Sequence, residues 1–153
     1  PLAVTVAIPE IHEAHRTPDR ADMLFHSSSY TANPIACAAA RANLAIWRDE
    51  PVVERVARLG ERQQARLDIL AQMPGVRDPR RIGTVAAFDL DLGAADYLSA
   101  LWPRLMAHFR ERDLLVRPLG TTLYAMPPYC IDGQDLDAIW TGMAEAVDRF
   151  TSC

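Results

Sequence analysis

Lysine is missing altogether from this 153-residue chain: all 16 of its basic residues are arginine. Arginine stays protonated and cannot form a Schiff base, so chemistry that depends on a side-chain amine is excluded from these residues themselves. A composition biased toward arginine and alanine is the plainer account of the absence and carries the greater weight, and the chemical exclusion holds whatever its cause. Basic residues are also outnumbered by acidic ones, for a net charge of −4. That balance gives no reason to expect nucleic acid or an anionic membrane as partner. Three scattered thiols, Cys37, Cys130 and Cys153, form no disulfide framework and fit a reducing cytoplasm. No stretch reaches the roughly 18 apolar residues of a membrane helix, and the N-terminus has no signal-peptide pattern. The chain opens on Pro1 inside an apolar run rather than on methionine, which reads as a cut from a longer polypeptide.

Half of the residues are apolar, enough for a folded domain with a core. Residues 2–8 are apolar and β-branched between Pro1 and Pro9, which predicts a buried strand. A short helix is expected over 9–15, a loop over 17–22 and a short strand over 23–25. Asn33-Pro34 supplies a cap and a first-turn proline for a helix reaching about residue 48. Its many alanines suggest close packing on another element. A second helix follows from Asp49 and Pro51 to about residue 72. There Val52, Val56, Leu59, Leu67 and Leu70 recur at helical spacing, and Pro74-Gly75 ends it. Further on, the pattern gives a strand over 84–92, a helix over 95–112, strands over 114–116 and 122–126, and a helix over about 134–150. This order predicts an α+β layer, a small sheet covered by helices on one face.

Two segments carry chemistry. In the first, Ser27, Ser28 and Ser29 lie just ahead of the helix that begins at Pro34. Hydroxyls and free N–H groups at a helix start suit a phosphate or carboxylate, although serine runs there are more often caps and loops. In the second, Arg117 sits between Leu114-Leu115-Val116 and the rigid Pro118. It is either a buried structural ion pair or a fork for a substrate carboxylate. Other candidates have plainer readings. His12 and His15 lack a third metal ligand at a useful spacing, with Cys37 buried by pattern, and belong to a solvated helix face. His26 has no orienting group or nucleophile elbow and reads as structural. The arginines between residues 41 and 66 alternate with glutamates on a solvated face. Trp47, Trp102 and Trp140 read as core.

Taken together, the segments resemble one family. The stretch from His26 through Asn33-Pro34 to the alanine run is similar to a motif of the class III aminotransferases. Arg117-Pro118 followed by Tyr124, Met126, Pro127, Pro128 and Tyr129 resembles the branch that makes 7,8-diaminononanoate in biotin synthesis. The resemblance implies the C-terminal part of a fold-type I enzyme, α/β in class, that uses pyridoxal 5'-phosphate. It implies a homodimer with shared active sites acting on small molecules, with S-adenosylmethionine as amino donor to 8-amino-7-oxononanoate. Residues 1–48 would be the tail of the large cofactor domain and 49–153 the small domain. Ser28 and Ser29 match residues that hold the phosphate of the neighbouring subunit's cofactor, where the family has Pro-Thr. Ser27 replaces a glycine against the substrate, and its hydroxymethyl group would narrow the pocket. Arg117 matches the arginine that binds the substrate carboxylate, and Tyr124 a tyrosine near the substrate. No catalytic residue is assigned, because the Schiff-base lysine is absent; it would lie within roughly ten residues upstream of Pro1, and the acid that pairs with the pyridinium nitrogen would also be upstream. These residues alone are expected to be inactive. The alternatives are another class III ω-aminotransferase and a degenerate, non-catalytic domain that acts as a binding module.

Overall fold

A computed structural model of the chain describes residues 2–26, 29–92 and 101–151. It divides into two compact units, Pro1–Glu50 and Pro51–Cys153.

The first unit holds α1 (Pro9–Ala14) and α2 (Pro34–Asp49). Asn33 caps α2 as its sequence predicts: Oδ1 accepts from the N–H groups of Ile35 and Ala36, and Pro34 occupies the first turn. None of this unit's described residues is buried. The strands expected over 2–8 and 23–25 do not form, and Val4, Val6 and Phe25 lie exposed. A strand needs a neighbour to take its N–H and C=O groups, and no strand forms among the unit's described residues. The same lack of a facing layer leaves the alanine face of α2 unpacked. It also leaves Trp47, expected in the core, half exposed, and Cys37 only part-buried.

The second unit begins with α3 (Val52–Leu70), whose stripe of Val52, Leu59, Gln63, Leu67 and Leu70 is buried. The turn that follows depends on glycine. Gly75 has φ +86°, and a Cβ there would fall 2.2 Å from the Thr151 hydroxyl. Next come β1 (Val76–Ile82) and β2 (Val85–Leu90), an antiparallel hairpin. β1 runs Val-Arg-Asp-Pro-Arg-Arg-Ile, so polarity and proline hid it from a hydrophobic-periodicity reading. Its register shifts between Arg77 and Arg80, which accommodates Pro79 on an edge strand. β3 (Thr122–Ala125) then pairs with β2, placing Phe88 opposite Leu123 and Ala86 opposite Ala125.

Burial alternates strictly along β2 and β3. Ala86, Phe88, Leu90, Leu123 and Ala125 join the core with α3, α4 (Leu101–Arg110) and α5 (Gly133–Thr151). Phe88, Leu105, Phe109, Leu136 and Met143 are its fully buried centre. This is the expected layer of helices on one sheet face. One expectation fails within it: residues 114–116 form no strand, and Leu115 is 96% exposed. Only a single bridge, Leu119 to Thr122, precedes β3. Of the helix expected over 95–112, residues 95–100 lie outside the described residues.

Candidate functional site

The second unit carries an open cleft of about 760 Å³. One wall is the extended segment Leu115-Val116-Arg117 together with Tyr124 and Met126 at the end of β3. The facing wall comes from the first turns of α5, with Asp135, Ala138 and Ile139, and Pro127-Pro128 closes it. Its lining is thus apolar over most of its length, with a guanidinium and carboxylates at its polar points.

Arg117 is held by its neighbours rather than by partners of its own. Val116 is 6% exposed and the Pro118 ring is fully buried. Anchors on both sides fix the backbone while Arg117 itself is exposed. Among the described residues its guanidinium makes no hydrogen bond or ion pair, and it is exposed rather than buried. The fork keeps its five donors available for a planar anion. Tyr124 sits on β3 opposite Ala87 of β2, its ring half-buried and its hydroxyl without a partner among the described residues. The fold therefore brings Arg117 and Tyr124 onto one cleft.

On the same cleft, Asp132 accepts from the Asp135 N–H at 2.8 Å and so caps α5. The carboxylate of Asp135 remains exposed. Free Cys130 is also exposed on this cleft.

In the first unit, Ser27 and Ser28 lie outside the described residues. Ser29 is exposed and its hydroxyl has no partner among the described residues. The start of α2 is less open than the sequence suggested. Pro34 has no N–H, Ile35 and Ala36 donate to the Asn33 side chain, and Cys37 donates to the Asn33 carbonyl at 2.9 Å. An anion there would rely on hydroxyls, not on the helix end. His26 pairs through Nδ1 with the Thr31 hydroxyl at 3.2 Å, the structural role read for it. Among the described residues no group of three or more His, Cys, Asp or Glu side chains is placed to hold a metal ion.

Two buried polar side chains escaped the sequence reading. Gln63 occurs four residues after Leu59 and four before Leu67, so the stripe itself marks it as inward-facing. His108 is 1% exposed beside Phe109, and its Nε2 lies 2.9 Å from the Gly142 carbonyl. Its position three residues after Leu105 and seven after Leu101 places it on the same helical stripe, so the spacing marks it as inward-facing.

Residues 1–147 match the family model described as aminotransferase class-III. The chain is similar to the adenosylmethionine-8-amino-7-oxononanoate aminotransferase of Synechococcus elongatus, 37% identical over 149 residues, which is 97% of this chain and 35% of the relative. Its similarity to the protein of the same name from Helicobacter pylori is 33% over 155 residues, again 97% of this chain and 35% of the relative. The solved omega transaminase of Pseudomonas jessenii in complex with PMP superposes with a TM-score of 0.71 at 27% identity, covering 84% of this chain and 30% of that one. The chain thus spans about a third of the length of the curated relatives it matches.

Proposed function

This chain belongs to the class-III aminotransferase family, and from that premise we propose that it is the C-terminal portion of an enzyme converting 8-amino-7-oxononanoate to 7,8-diaminononanoate, with S-adenosylmethionine as amino donor. The observation that carries the reading is Arg117: an exposed guanidinium, without a partner among the described residues, on a largely apolar cleft shared with Tyr124. A long-chain acid fits that lining, with its carboxylate on the fork and its alkyl chain along Met126 and Ile139. Relatives at 37% and 33% identity bear the matching name. Tyr124 offers a phenol hydroxyl beside the acid.

The family's cofactor is pyridoxal 5'-phosphate, which when bound supplies the aldehyde that carries the amino group from donor to acceptor. The residues present fit one part of that group. The exposed hydroxyl of Ser29, without a partner among the described residues, would donate to the phosphate of the cofactor, with Ser28 beside it in sequence. No side-chain amine is present to hold the aldehyde, so these 153 residues alone turn over no substrate. In the proposed whole enzyme, residues 1–48 complete the large cofactor domain and 49–153 form the small domain. The enzyme is a cytoplasmic homodimer in which Ser28 and Ser29 reach the neighbouring subunit's cofactor.

The test is Arg117→Ala in the full-length enzyme. The KM for 8-amino-7-oxononanoate should rise steeply while the KM for S-adenosylmethionine changes little. An unchanged KM for the acid would defeat the assignment.

A further inference from the structure

The two walls of the cleft are joined by a side chain that lines neither. Gln63 of α3 is fully buried. Its Oε1 accepts from Trp140 Nε1 of α5 at 2.6 Å, and its Nε2 donates to the Thr84 carbonyl at 3.0 Å and, at a longer 3.5 Å, to the Ala125 carbonyl. The amide's orientation is dictated by its partners. An indole N–H can only donate and a carbonyl can only accept, so oxygen must face Trp140 and the NH2 group must face the strands. One end of the bridge lies on the cleft, and the other is the chain neighbour of a residue that does. Ala125 lines it and directly follows Tyr124, while Trp140 directly follows Ala138 and Ile139 on the opposite wall.

We propose that Gln63 is a positioning residue, its single buried amide setting the spacing between the Tyr124 wall and the α5 wall and so the fit of the acid's chain between them. Among the described residues the other buried polar side chain, His108, meets Gly142 and not these walls, and the surrounding contacts of Leu67, Leu123 and Leu136 are apolar and tolerate small slides. A hydrogen-bonded amide with a donor on one side and acceptors on the other does not. Leucine or methionine would fill the volume yet leave Trp140 Nε1 without its buried acceptor and take away the side-chain donor that ties α3 to the strands. Glutamate would present a second oxygen to carbonyls that need a donor.

This proposal rests on the substrate reading of the same cleft, and the experiment separates the two. Gln63→Met, Trp140→Phe and the double variant are made in the full-length enzyme beside Arg117→Ala, with thermal midpoint, kcat and both KM values measured for each. Trp140→Phe cuts the bridge while leaving Gln63 on the strands, so it carries the test alone where Gln63→Met does not fold. Each single variant should raise the KM for 8-amino-7-oxononanoate by roughly three- to tenfold, the loss of one buried hydrogen bond. The donor's KM and kcat should stay within about twofold, because the acid's ground-state fit is what changes. The double variant should add little to the larger single, since both break one bridge. If Arg117→Ala raises the acid's KM and neither bridge variant does, the positioning role is overturned while the substrate reading stands. The role is equally overturned if both KM values and kcat shift together with the midpoint, as for a structural residue only. An unmoved KM in Arg117→Ala overturns both.

Discussion

Thr122 donates its hydroxyl to Asp89 Oδ1 at 2.6 Å, across the strand pair in which the two residues face each other, and Arg80 reaches the same oxygen from β1 at 3.0 Å. Partial burial pushes this carboxyl's pKa up. The hydrogen bonds from Thr122 and Arg80, with the charges of Arg80 and Arg77, more than offset it and leave it below the ordinary aspartate value. A pKa lowered on folding means that the charged form is favoured in the folded state. Its contribution is therefore complete above the unfolded value, near about 4, and is lost as pH falls through the folded value. Asp89→Asn keeps an oxygen for Thr122 but gives up the charge. It should cost about 1 kcal/mol at pH 7, a small effect because the carboxylate is partly exposed. Urea unfolding of both proteins at pH 7 and near pH 3 checks the sign: the gap between them should narrow on acidification. A gap independent of pH would remove the charge from the account.

Legibility in the sequence followed how far each element's packing partners lie within the chain. α3 and α5 were readable because Leu59 to Leu70 and Leu136 to Phe150 find their core inside the second unit. β2 was readable for the same reason. Residues 2–8 carry an equally strong strand pattern but gain no pairing in their unit, and Trp47 no covering layer, so pattern outran structure there. β1 failed in the opposite direction, since an edge strand rich in arginine, with Pro79 in its bulge, shows no alternation. At the site, Arg117 and Tyr124 were legible through motif resemblance. Physical pattern alone could not reveal that Arg117 has no partner among the described residues, because pairing depends on what the fold brings near it. Gln63 was legible in position but not in role, which came from Trp140, 77 residues away.

Ser29 gives a prediction about the cofactor. Its exposed hydroxyl is available, while the N–H groups at the start of α2 are already used by Asn33. If Ser29 holds the cofactor phosphate as proposed, Ser29→Ala in the full-length enzyme removes one hydrogen bond to a charged group, worth about 1.5–3 kcal/mol. Affinity for pyridoxal 5'-phosphate should fall by roughly ten- to a hundredfold. Equilibrium dialysis of the apoenzyme against the cofactor measures it directly. Affinity equal to that of the unaltered enzyme would take Ser29 out of the phosphate site.

The absence of lysine gives a prediction about these 153 residues on their own. Borohydride reduction in the presence of pyridoxal 5'-phosphate should attach the cofactor to no side chain, because no side-chain amine exists to react. Peptide mass mapping reads this, with the N-terminal amine set aside. A reduced adduct on any internal residue would contradict the chemical argument. Turnover with 8-amino-7-oxononanoate and S-adenosylmethionine should likewise be absent.

Arg117 gives the sharpest test, because its two readings separate on one preparation of enzyme. As a clamp it pairs bidentately with a carboxylate in a partly dry cleft, so Arg117→Ala should cost on the order of 2–5 kcal/mol, expressed in the KM for the acid. Arg117→Lys should recover only part of this, since a compact ammonium cannot reproduce two parallel N–H donors. Stability should hardly move in either variant: the side chain is exposed and makes no ion pair among the described residues, and such surface changes usually stay within about 0.5 kcal/mol. A residue important only for folding would behave differently. It would lower the thermal midpoint and weaken both substrates together through loss of folded enzyme. Thermal midpoint and both KM values together decide the matter. A lowered midpoint with an unchanged KM for the acid would leave Arg117 with no role at the cleft, and would withdraw the main support for an acid of that length as substrate.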